Sequence, residues 1–145
     1  IRPWQHILDV VNSIIFVLVK RGGKISLDTN IFNVGPNLSS NITVKQLLTK
    51  ILNSSKKIKF SYLIKKIKFK EKKILKLSNQ YIKKTIGWQP KLNINQSIAL
   101  TNDWYNHYYN NQKTIFKFTE NQIFNFFIKI KLKKNTQSKK ISRKL

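Results

Sequence analysis

The chain of 145 residues contains no cysteine and no methionine, and only five acids, four glycines and three prolines. Without cysteine there is no disulfide framework and no thiolate-ligated metal. His6 and His107 are isolated and the acids are spread along the chain, so no imidazole–carboxylate cluster has metal-ligand spacing. A reducing compartment is compatible with this composition, and a cytoplasmic location is expected. Ile stands at position 1 with no Met anywhere, which gives the expectation of a piece of a longer protein. Long apolar runs are missing too. Residues 7–19 carry Asp9, Asn12 and Ser13 and fall short of the about 20 apolar residues a membrane span needs. No basic segment precedes them as in a secretory signal. A buried helix is expected there instead.

Positive charge is abundant. The chain carries 29 Lys+Arg against 5 Asp+Glu, a formal net charge of +24. Such a surplus is the footprint of a polyanion-binding protein, an RNA-binding or ribosome-associated one for example. The arginines, however, are only Arg2, Arg21 and Arg143, and the lysines keep company with Asn and Ile, all encoded by A/T-rich codons. Codon bias therefore offers a second source for the charge, spread over every solvated face.

Residues 1–6, Ile1-Arg2-Pro3-Trp4-Gln5-His6, gather a fixed cation, a backbone constraint, a large aromatic, an amide and an imidazole in one loop. Pro3 fixes its own φ and biases Arg2 towards an extended backbone, which aims the guanidinium away from the helix that follows. That planar fork of donors suits a phosphate or a carboxylate. His6 stands where it either orients a substrate or caps the helix.

Apolar positions at 7, 8, 10, 11, 14, 15, 17, 18 and 19 predict a helix over Ile7–Lys20. Asp9, Asn12 and Ser13 lie opposite a wide stripe, with Asp9 favourable for the helix dipole and Gly22-Gly23 as the stop. Ile31–Val34 reads as a short strand closed by Gly35-Pro36-Asn37. Thr43 and Gln46 form a capping box for a helix over Thr43–Leu52. Helix, strand and helix together predict an α/β layer whose exposed apolar face would lie on a parallel sheet. Residues 56–76 alternate Lys with β-branched and aromatic side chains, as in strands with one solvated face. Ser78 is the expected cap of a helix to Thr85, stopped at Gly87. Asn93 with Gln96 caps the next, along which Ile94, Ile98, Thr101, Tyr105 and Tyr108 are spaced. Trp88 and Trp104 read as core aromatics. Residues 133–145 lack apolar periodicity and are expected to be disordered, while Ile115-Phe116 and Ile123–Leu132 suit a lineage-specific extension, a surface-seeking amphipathic segment or sequence drifting after the fold ends.

Four stretches, in order, resemble one family. Arg2 to Asp9 resembles the Arg-Pro-Trp-Gln-His loop of the CDP-glucose 4,6-dehydratases, which are extended short-chain dehydrogenase/reductases. Phe32-Asn33-Val34-Gly35-Pro36 looks like the family's WNFGP, and Ile86-Gly87-Trp88-Gln89-Pro90 like its LGWxP. Ile94 through Tyr105 looks like its LEEALxLTxxWY. The resemblance covers about residues 1–108 and implies the carboxy-terminal part of a Rossmann-like fold. Residues 1–110 would form an α+β substrate-binding part with an incomplete parallel sheet, and 111–145 a basic, partly disordered extension.

The resemblance implies an NAD-dependent conversion of CDP-glucose to a 4-keto-6-deoxy sugar, with a full-length homodimer. Arg2 would clamp the diphosphate, joined by a second cation from Lys68 to Lys72, with Lys68 the named candidate. Ser78 replaces the family's Asp in its LxLD motif, and Gln80-Tyr81 its following Ser-Lys. The glycines at 22, 23, 35 and 87 make no dinucleotide-binding turn, so NAD would be held by an amino-terminal half. The catalytic Tyr-x-x-x-Lys would lie there as well. The match at Tyr62 and Lys66 falls beyond that region, in the lysine-rich stretch where chance matches are common. A nucleotide-sugar epimerase of the same extended family would account for the same motifs.

Overall fold

The computed structural model describes residues 1–22, 31–54 and 72–141, apart from the side chains of 21–22 and 129–141. Among these, helices dominate. The order is β1 (Arg2–Pro3), α1 (Ile7–Gly22), β2 (Asn41–Ile42), α2 (Val44–Ser54), α3 (Gln80–Ile86), α4 (Ile94–Asn110) and α5 (Ile115–Ile141). The chain divides into two compact units, Ile1–Asn102 and Asp103–Leu145, with the division inside α4.

Local chemistry fixes most helix starts in the first unit. His6 caps α1, since its Nδ1 accepts the Leu8 N–H at 3.2 Å. Thr43 Oγ1 accepts the Gln46 N–H at 3.1 Å while Gln46 Oε1 takes the Thr43 N–H at 2.8 Å, closing the expected capping box on α2. Asn93 and Gln96 repeat it on α4, both bonds at 2.9 Å. At α3 the start is shifted. The helix begins at Gln80, and Ser78 Oγ receives only a long 3.4 Å bond from the Gln80 N–H. Asn79 turns its amide instead to the Gly35 carbonyl, at 3.3 Å. Gly87 closes α3 with φ at 75°, in the left-handed region that glycine adopts without strain.

The core of this unit is Ile82, Ile86 and Trp88, flanked by Phe16, Val17, Phe32 and Val34. Trp88 is fully buried, as a core aromatic should be. Phe32 also stacks on Tyr81, with ring centroids 5.5 Å apart. The expected strand at Ile31–Val34 is not formed. Phe32 and Val34 pack on the core at α3 while the segment forms no ladder among the described residues, and Gly35 runs against the chain at Leu77. A Cβ on Gly35 would meet the Leu77 carbonyl oxygen at 2.8 Å, so the crossing requires glycine. The sheet that does form among the described residues is antiparallel and two-stranded, pairing Arg2 with Ile42 and Pro3 with Asn41. No parallel, Rossmann-like layer appears there. The strands expected within 56–71 lie outside the described residues.

Helix α1 divides its apolar stripe, with Leu8 buried and Phe16 and Val17 packed on the core while much of the rest is exposed. Asp9, Asn12 and Ser13 are its most buried residues, together with Leu8, whereas Ile7, Val11, Ile14, Ile15, Leu18 and Val19 are exposed. Its buried polar side meets the loop before α4. Asp9 accepts the N–H groups of Lys91 at 2.8 Å and Leu92 at 3.1 Å, so its carboxylate seats two backbone donors that would otherwise be buried unpaired.

In the second unit a 3-10 turn at Gln112–Thr114 reverses the chain between the end of α4 and α5. Trp104 Nε1 donates to Thr119 Oγ1 at 2.9 Å, and His107 stacks on Phe118 at 4.2 Å. Trp104 is only half-buried and stacks on Tyr108. Helix α5 runs to Ile141, so residues 133–141 are helical, against the expectation of a disordered tail. No Gly or Pro interrupts 115–141, and lysine and glutamine are good helix formers, which outweighs the missing apolar period.

Candidate functional site

The cleft around Arg2 is built from the first strand. Pro3 holds Arg2 extended and pairing with β2 fixes the register. Trp4 locks the arrangement, its indole N–H donating to the Ile42 carbonyl at 3.1 Å and its backbone N–H to the Ser40 carbonyl at 3.3 Å. The segment from Lys72 then passes alongside. Arg2 Nη1 donates to the carbonyls of Ile1 at 2.9 Å and Lys72 at 3.1 Å, and the Leu75 N–H reaches the Ile1 carbonyl at 3.1 Å. These contacts enclose a cleft of about 590 Å3 lined by Ile1, Arg2, Pro3, Trp4, Val44, Lys72 and Lys73.

Among the described residues, three cationic side chains line it. The half-buried guanidinium is oriented by carbonyls at one end, and the two lysines are exposed. Such a set favours an anion with several oxygens, with Trp4 and Val44 as apolar walls. Lys72 belongs to the stretch expected to supply the second cation. Lys73 falls just outside that stretch, and adjacency to Lys72 is its only sequence signal. Lys68, Tyr62 and Lys66 lie outside the described residues.

A smaller cleft of about 170 Å3 opens between residues 4–6, α2 and α4, with Leu47, Ile51, Ile94 and Ile98 among its walls. His6 lies against it, buried, and burial lowers its pKa below the ordinary 6.5. The Nδ1 atom is committed to the Leu8 N–H, so the geometry gives His6 the capping role.

The described residues do not fit a dinucleotide. Gly35 is taken up by its crossing with Leu77, and Gly87 by the end of α3, so neither opens a phosphate cradle. The four family-like stretches are largely structural in this fold: Asp9 holds a loop, Gly35 a crossing, Trp88 the core. No family model, curated protein or solved structure matches the chain.

Proposed function

We propose that this chain is the sugar-nucleotide-binding part of a cytoplasmic enzyme of the CDP-glucose 4,6-dehydratase kind, with the cleft at Arg2 taking the diphosphate. The observation that supports this reading is the convergence of Arg2 with Lys72 and Lys73, two segments separated by 70 residues, on one cleft. Arg2 supplies the fork of donors, the lysines supply charge, and Trp4 and Val44 flank the less polar part of the ligand. Hydride chemistry belongs to residues outside this chain in this reading.

Titration with CDP-glucose tests it. Hydrogen bonds to charged groups contribute about 1.5–3 kcal/mol, so Arg2→Ala should weaken binding by roughly one to two orders of magnitude. Arg2→Lys should fall between, since it restores charge without the fork. Unchanged affinity in the alanine variant would remove Arg2 from the site. Binding of RNA in place of CDP-glucose, with a steep salt dependence, would favour the polyanion reading that the net charge suggests.

A further inference from the structure

Helix α5 is apolar on two sides. One side packs within the second unit: Phe118 stacks on His107, Thr119 accepts from Trp104, and Phe126 is buried. Phe116, Ile123 and Phe124, spaced by seven and eight residues, fall on another side by the 3.6-residue repeat. There Phe116 is 75% exposed, Phe124 64% and Ile123 41%. The acid on this side, Glu120, is paired with Lys117 at 3.3 Å. Immediately after the patch the charge becomes one-sided. Residues 121–145 carry eight Lys and Arg and no acid.

We propose that α5 docks on an anionic phospholipid bilayer surface, with Phe116, Ile123 and Phe124 entering the boundary between headgroups and acyl chains. The basic run that follows supplies the electrostatic attraction. Exposed phenylalanines beside a cationic segment are what an interfacial helix requires. Ile123 offers no ring on which a base could stack, and none of the three can hydrogen-bond a nucleotide, so a lipid surface fits better than RNA. The arrangement is a surface one, because no described helix is long and apolar enough to cross a membrane.

Vesicle flotation of the whole chain is the test, with phosphatidylcholine alone and with phosphatidylcholine containing phosphatidylglycerol. Wild type should float far more with the anionic vesicles than with the neutral ones. A fraction should stay bound at about 1 M salt, where the Debye length is about 3 Å and charge attraction is screened. Phe116→Ser with Phe124→Ser should lower the partition coefficient by about tenfold or more, since each buried ring has a large apolar area to lose. Both side chains are exposed, and an unchanged circular dichroism spectrum establishes that the variant is folded. Equal flotation of the double variant would overturn the proposal. So would complete release by salt, or retention on polyuridylate with no flotation.

Discussion

His6 and Asp9 are both buried at the start of α1, and pH acts on them with opposite signs. Burial lowers the His6 pKa below 6.5, so the folded chain prefers the neutral ring whose Nδ1 accepts the Leu8 N–H. Between the lowered folded value and 6.5 the unfolded chain binds more protons, so the stability contributed by His6 rises with pH and is complete above 6.5. Burial raises the Asp9 pKa above 3.8, outweighing the N–H groups of Lys91 and Leu92 and the Lys91 charge. From 3.8 up to that raised value the folded chain holds more protons, so the Asp9 contribution falls as pH rises and is constant beyond. His6→Asn keeps a capping acceptor but removes the titration. Urea unfolding at a series of pH values should therefore show a smaller rise of stability up to 6.5 in the variant than in wild type. An identical rise would assign that dependence to another group.

Among the elements, the helix starts were legible because their causes are local. Thr43 with Gln46 and Asn93 with Gln96 each bond within four residues, and Gly87 needs only its own φ. Pro3 likewise shows in sequence that Arg2 is extended. The orientation of α1 was not legible. A 3.6-residue period reveals a stripe but not which part of it faces inward, and the buried polar side meets distant amides at 91 and 92. For the cleft, the resemblance pointed to the stretch Lys68 to Lys72, but not to the bond from Arg2 to the Lys72 carbonyl 70 residues away. The strand expected at 31–34 failed because apolar alternation also suits an extended segment packing on a helix. The outward stripe of α1 makes a prediction. Leu18 is 64% exposed, and Leu18→Lys should reduce self-association in sedimentation velocity while changing stability by no more than about 0.5 kcal/mol. Unchanged association would clear the stripe of that role.

For the whole molecule, a net charge of +24 on 145 residues sets up repulsion that folding concentrates. Raising ionic strength from about 0.01 M to about 0.15 M shortens the Debye length from about 30 Å to about 8 Å. The melting temperature should rise over that interval, and differential scanning calorimetry checks it. A flat or falling dependence would mean that repulsion among the cations is no stronger in the folded chain than in the unfolded one.

The bonds from Asp9 to Lys91 and Leu92 span 82 and 83 residues. During synthesis the first helix is made long before the loop that seats it. Chain elongation proceeds at about 5–20 residues per second, so α1 waits for several seconds with its inward carboxylate unpaired. Chaperone binding during that interval would fall on α1.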